Sequence, residues 1–231
     1  MQGQSVIRVL LADDHGLVRA GLKTILEQAP DIRVVAEASN GMEAIQEFER
    51  VRPDVAILDI SMPMMDGMEA VKRLISSDRN GRILVLTMHP ERYYAVRALK
   101  AGALGYITKG TSSQELHSAV RAVARGKRYL SNEGIDAVTI RMMAHGMDTT
   151  PVESLSDREL QVLCHIASGY KVREIAEELG VGTKTVETYR SRILRKLCLR
   201  RDADICRFAF EHGLVPVAPS SQESSPSNLM K

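Results

Sequence analysis

Short, mostly apolar runs alternate with amphipathic stretches from residue 6 to about residue 125. The runs at 7–12, 33–38, 55–58, 83–86 and 104–107 are rich in Val, Ile and Leu, as strands buried on both faces must be. Between them, helical periodicity predicts helices over 17–28, 41–50, 67–76, 93–101 and 112–125. Ser112, three residues before Glu115, has capping-box spacing at the start of the last one. Five strand-helix repeats predict a five-stranded, doubly wound parallel sheet covered by helices on both faces.

The regularity fades after Gly126. Ile135, Val138 and Met142 are spaced to form one face of a short helix, so 126–150 reads as a linker. A second, all-α unit is expected over 151–215. It opens with Ser156 and Glu159 in another capping box, with Leu155 before the cap as a hydrophobic staple. Four helices are predicted over 157–168, 172–179, 184–197 and 202–212. The tail from 216 to 231 is Ser/Pro-rich, almost devoid of core formers, and is expected to be disordered.

Composition narrows the class without naming it. The 231 residues suffice for two small domains, and 44% hydrophobic with 26% charged residues is ordinary for a soluble chain. No apolar run is long enough to cross a bilayer, and the N-terminal stretch lacks the pattern of a secretory signal, so a cytoplasmic location and no membrane contact are expected. Cys164, Cys198 and Cys206 lack metal-site or redox spacing and read as free thiols. A net charge of +2 says little, but positive residues outnumber acids seven to one between Thr183 and Arg201.

Ligands of open α/β sheets collect at the carboxyl ends of strands. Asp13 and Asp14 follow the first strand, Asp59 the third, Thr87 the fourth and Lys109 the fifth. Each alone has a bland explanation as a cap, a strand end or a solvated charge. Together they converge on one pocket, where clustered carboxylates call for a hard divalent cation such as Mg²⁺.

With Met62-Pro63 and Asp66-Gly67 after Asp59, these residues resemble the receiver-domain signature, and the match spans residues 6–125. The resemblance implies a flavodoxin-like fold and a phosphoacceptor, Asp59, that takes a phosphoryl group from a sensor histidine kinase. It further implies Mg²⁺ held by Asp13, Asp14, Asp59 and the Ser61 backbone carbonyl. Lys109 and Thr87 would stabilise the phosphoryl group, and Tyr106 would follow Thr87 inward as a switch read on the face of the fourth helix, fifth strand and fifth helix. Tyr106 also reads simply as a partly buried strand aromatic. Ser61 and His89 occupy positions that in this family flank the path of hydrolytic water, and Gly67 and Gly102 read as backbone devices.

Residues 172–191 read as helix, glycine turn, helix. Ile175, Ala176, Leu179, Val181 and Val186 supply a small core, Gly180 the turn, and Thr183 a cap. The span 155–215 resembles the LuxR-type output domain, and with the receiver the chain resembles the NarL/FixJ group of response regulators. Glu187, Thr188 and Ser191 face outward at helical spacing as base-reading candidates. Glu187, where the family often has Lys, is suited to accept from a cytosine amine. Lys184, Thr185, Tyr189, Arg190, Arg192 and Lys196 suit phosphate contacts. Ile205 and Ala209 in the last helix are candidates for pairing two copies on double-stranded DNA as a homodimer, although they equally suit the domain core, the role expected for Phe208. RNA polymerase is a further expected partner. No enzymatic turnover is expected beyond self-phosphorylation and slow dephosphorylation.

Two rivals remain. A phosphohydrolase with an aspartate nucleophile needs an acid two residues on, where this chain has Ser61. A regulator that binds DNA constitutively, its receiver serving only to dimerise, has no use for an intact acidic site.

Overall fold

The structure is a computed structural model, and it describes residues 6–88, 91–132, 134–136, 139 and 151–215. Most of the expected linker, including Val138 and Met142, the expected tail, and His89 lie outside the described residues.

The strands are β1 (Ile7–Ala12), β2 (Ile32–Ala38), β3 (Val55–Leu58), β4 (Ile83–Thr87), β5 (Gly105–Thr108) and β6 (Tyr129–Leu130). They form one sheet in the order β2-β1-β3-β4-β5-β6 with every pairing parallel. β6 corrects the expected five strands. Two residues are too short to carry a periodic signal, and Tyr129 joins the edge by donating its N–H to the Leu104 carbonyl at 2.9 Å.

Parallel strands need crossovers, and five helices supply them: α1 (Gly16–Glu27), α2 (Gly41–Val51), α3 (Gly67–Ser77), α4 (Glu91–Ala101) and α5 (Ser113–Ala124). Alternation along each strand divides the core. Val9, Leu11, Ile57, Leu84 and Ile107 pack with Leu26 of α1 and Leu116, Val120 and Val123 of α5. Leu10, Leu58 and Val85 face the other way, against Phe48 of α2, Val71 and Leu74 of α3, and Tyr94 and Ala98 of α4.

The second unit begins with a 3-10 turn (Pro151–Ser154), followed by α6 (Asp157–Ala167), α7 (Val172–Glu178), α8 (Thr183–Lys196) and α9 (Asp202–Glu211). The capping box that opens α6 is formed: Glu159 N donates to Ser156 Oγ at 3.3 Å, and Ser156 N donates to Glu159 Oε2 at 2.7 Å. Leu160, Leu163, Ile175, Val186, Ile193, Ile205 and Ala209 form its core.

The two units share apolar packing, because the cluster on the α2-α3-α4 side continues into Val152, Leu160 and Cys164. Asp157 at the start of α6 ties this contact to two receiver helices. Its carboxylate accepts from Lys72 Nζ of α3 and Arg97 Nη1 of α4, both at 2.9 Å. Arg97 Nη2 also donates to the Val152 carbonyl at 2.9 Å. Farther along, the Tyr93 hydroxyl donates to the His212 carbonyl.

Candidate functional site

Parallel pairing brings the carboxyl ends of β1, β3, β4 and β5 to one edge, which makes residues distant in sequence neighbours. Lys109 Nζ lies 2.6 Å from both Asp13 Oδ2 and Asp59 Oδ2. Asp13 and Asp59 are buried, at 1% and 4% exposure, and Asp14 is partly open to solvent. Thr87 contributes twice: its carbonyl accepts from Lys109 N at 2.8 Å, and its side chain hydrogen-bonds Asp59.

Burial pushes the Asp59 carboxyl above its ordinary pKa, a rise opposed by Lys109 and Thr87 and reinforced by Asp13. Burial pulls the Lys109 ammonium the other way, yet Asp59 and Asp13 reverse this and raise it. The site is therefore short of positive charge: two buried acids share one ammonium, and Asp14 adds a third carboxylate beside Asp13.

That imbalance is what a divalent cation would answer, and the donors are hard oxygens of the kind Mg²⁺ takes. Ligand atoms of Asp13, Asp14 and His15 lie within 4.8 Å of one another. His15 was missed from the sequence. Its N–H donates to Asp13 Oδ1 at 2.9 Å, and its ring Nδ1 lies 2.8 Å from Asp14 Oδ1, fixing both acids at the entry to α1. Only its adjacency to the acid pair signalled this.

The loop after β3 folds tightly over the site. Ser61 N approaches Asp59 Oδ1 at 3.4 Å, and Gly67 N donates to the Ile60 carbonyl at 3.0 Å. A Cβ on Gly67 would stand 1.9 Å from the Asp59 carbonyl oxygen, so a side chain has no room there. Tyr106 is fully buried in the cluster that continues into the output unit, which leaves its aromatic ring no exposed face.

In the helix-turn-helix, Gly180 has φ +62°, the left-handed turn that favours glycine. Thr183 is not the cap. Gly182 takes that position, and Thr183 begins α8. Lys184, Thr185, Glu187, Thr188, Ser191 and Arg192 are exposed on α8, as expected of a nucleic-acid face. The Thr188 hydroxyl donates to the Lys184 carbonyl at 2.8 Å, so its free capacity is as an acceptor.

Three of the expected phosphate contacts have internal work. Lys196 Nζ is bound to Glu159 Oε2 at 2.6 Å and to the Ser154 carbonyl at 2.9 Å. Arg190 Nε donates to Asp202 Oδ1 of α9 at 2.7 Å. Tyr189 packs partly against the core. Arg190 and Lys196 would have to exchange these partners for phosphate on DNA, a demand that helical position alone does not reveal. Ile205 and Ala209, candidates for dimer contacts, are corrected, since both are 0% exposed within the core of their own domain. The exposed large apolar residue of α9 is Phe210, at 57%.

A doubly wound sheet with acids at its carboxyl edge, followed by a helix-turn-helix, is the build of a two-domain signalling protein that binds DNA. Residues 9–121 match the family model "Response regulator receiver domain", and residues 153–209 match "Bacterial regulatory proteins, luxR family". The response regulator UvrY of Escherichia coli (strain K12) is 40% identical over 209 residues, covering 90% of this chain and 96% of UvrY. The response regulator GacA of Pseudomonas aeruginosa is 35% identical over 213 residues, covering 92% and 100%.

Among solved structures, RcsB of Salmonella typhimurium superposes with TM-score 0.65 at 26% identity, over 90% of this chain and 98% of that one. RcsB bound to promoter rprA in the presence of phosphomimetic BeF₃⁻ gives 0.59 at 26%, over 88% and 98%. The chain belongs to the NarL/FixJ group of two-component response regulators, with a receiver and a LuxR-type DNA-binding domain. Among the described residues, no helix is long and apolar enough to cross a membrane.

Proposed function

We propose that Asp59 is the phosphoacceptor and that its phosphorylation controls how the LuxR-type domain engages DNA. The observation that carries this reading is the shared Lys109 ammonium, 2.6 Å from both Asp59 and Asp13 at the mouth of a buried, acid-rich edge.

In the transfer, an Asp59 carboxylate oxygen forms the new O–P bond as the N–P bond of a kinase phosphohistidine breaks, and the released imidazole nitrogen takes a proton from solvent. Asp13, Asp14, Asp59 and the Ser61 carbonyl would hold Mg²⁺, which supplies charge neutralisation to the phosphoryl oxygens. Lys109 moves from carboxylate to phosphoryl oxygen as the negative charge relocates. Thr87 would donate to the new group from the adjacent strand end, and Tyr106, on the neighbouring strand β5, would follow movement of that side chain. The chain then acts as a stoichiometric acceptor rather than a turnover enzyme. Ser61 supplies no proton-donating acid where a phosphohydrolase needs one.

On DNA, Lys184, Thr185 and Arg192 would contact phosphates, while Glu187, Thr188 and Ser191 read bases in the major groove. Two copies would bind two half-sites, in the cytoplasm and beside RNA polymerase. The solved structure of two RcsB dimers bound to two parallel DNAs supports the dimeric arrangement.

The test compares binding to DNA fragments selected by the protein, with and without acetyl phosphate and Mg²⁺, for wild type and Asp59→Asn. Expected is a shift in affinity for wild type alone. Equal affinities in all four samples would overturn the control by phosphorylation and favour the constitutive regulator.

A further inference from the structure

The loop between β3 and α3 has two neighbours, the acidic site on one side and α6 of the output domain on the other. A continuous polar chain joins it to α6. Arg158 Nε lies 3.0 Å from Asp66 Oδ2, and the ion pair is nearly closed to solvent at 14% and 8% side-chain exposure. Arg158 Nη2 donates to the Met62 carbonyl at 3.4 Å, and Nη1 donates to Gln161 Oε1 at 3.0 Å. Gln161, fully buried, passes the chain on by donating from Nε2 to the Ile60 carbonyl at 3.4 Å.

The chain has one sense. A guanidinium only donates, so the Gln161 amide must offer it oxygen and turn its NH₂ toward Ile60. Asp66 is equally committed, because its other oxygen caps α3 by accepting from Glu69 N at 2.8 Å. Breaking any link leaves a buried donor or acceptor without its partner, which is costly.

The carbonyls of Ile60 and Met62 flank Ser61, the residue whose carbonyl is assigned to the metal. Asp59 immediately precedes them. The same loop abuts the helix-turn-helix, where a Cβ on Gly180 would stand 2.8 Å from Pro63 Cβ. One short strip of backbone thus meets the phosphorylation site, the first turns of α6 and the turn before α8.

We propose that Arg158 and Gln161 are positioning residues for the metal and phosphoryl site. They hold the Ile60–Met62 backbone in the form that suits the docked output domain and disfavours the phosphorylated site. This rests on the phosphoacceptor reading of Asp59. Coupling of this kind is reciprocal: phosphorylation loosens the Arg158-Gln161 chain, and loosening the chain strengthens binding at Asp59 by the same factor. The signal reaches the output domain through the loop next to Asp59, in addition to any route through Thr87 and Tyr106.

The test measures Mg²⁺-dependent binding of beryllofluoride, a phosphoryl mimic, by calorimetry on the full chain. It uses wild type, Arg158→Met, Gln161→Met and Arg97→Met, with small-angle scattering of each to report release of the output domain. Arg97→Met loosens the same docking through α4, away from the loop. Expected is at least about fivefold tighter beryllofluoride binding in the Arg158 and Gln161 variants, with a smaller gain for Arg97→Met at matched release.

A merely structural role would lower thermal stability and leave beryllofluoride affinity unchanged, which overturns the proposal. An equal gain from Arg97→Met at matched release overturns the route through the loop. Failure of wild type to bind beryllofluoride with Mg²⁺ overturns the phosphoacceptor reading itself, and this inference with it.

Discussion

Lys109 Nζ stands 2.6 Å from Asp59 Oδ2, and this contact holds a carboxylate in an anionic form that its burial opposes. Burial raises the Asp59 pKa despite Lys109. A carboxylate buried beside a second acid is electrostatically costly. Asp59→Asn removes one buried charge while keeping an oxygen for Lys109. Without metal, the variant is expected to be more stable than wild type by on the order of 1 kcal/mol. Saturating Mg²⁺ should shrink that gap by stabilising wild type preferentially. Denaturant titration in EDTA and in Mg²⁺ checks this; a less stable variant in EDTA would contradict it.

Gly67 admits no side chain because the Asp59 carbonyl oxygen occupies the place of its Cβ, at 1.9 Å. Gly67→Ala must push α3 away from β3 and is expected to cost about 3 kcal/mol or more. Urea unfolding measures the loss, and a wild-type midpoint would show that the loop accommodates the methyl group.

On α8, position alone does not decide a role. Lys184 is exposed, and Lys196 is bound to Glu159. Lys184→Ala should weaken DNA binding across sequences and reduce the salt dependence by about one unit of slope. Lys196→Ala should leave that slope unchanged and destabilise the domain by about 1 kcal/mol, a figure held low because the lysine is partly exposed. Binding isotherms at several salt concentrations, with thermal melts, separate the two; a reduced slope for Lys196→Ala would restore it to the DNA face.

Asp157 links the two domains through Lys72 and Arg97. Burial pushes its carboxyl upward, but hydrogen bonds from these two cations outweigh it and hold the pKa below the ordinary 3.8. Its contribution is fully present above 3.8 and is lost as pH falls through the lower folded value. Acidification to about pH 5 should leave this contact intact, whereas Asp157→Asn should loosen docking at neutral pH. Small-angle scattering of both proteins reports the result. Equal compactness at neutral pH would mean that the apolar contact alone holds the domains.

Much of the fold was legible because strands buried on both faces must be apolar and helices that cover them must be amphipathic. Val55–Leu58 emerged with its observed bounds, and the Ser156-Glu159 capping box marked where the second unit begins. β6 was not legible, since two residues carry no period. At the site, Asp13, Asp59, Thr87 and Lys109 could be brought together because strand ends in a parallel sheet share an edge. His15 adds orientation rather than position, so the strand-end rule did not reach it.

What escaped the sequence lies between elements distant in the chain. Asp157 and Arg158 read only as first-turn residues of a helix, and Gln161 as one of its interior positions. Their partners Lys72, Arg97, Asp66 and the Ile60 carbonyl belong to another domain. Arg190 and Lys196 show the same limit: a helical wheel assigns a face, but it does not show that Asp202 and Glu159 pair with these two side chains.

The most direct measurement is intact-mass spectrometry after incubation with acetyl phosphate and Mg²⁺, for wild type and Asp59→Asn. Expected is a gain of about 80 Da, one phosphoryl group, in wild type and none in the variant. No gain in wild type, or the same gain in both proteins, would contradict Asp59 as the phosphoacceptor.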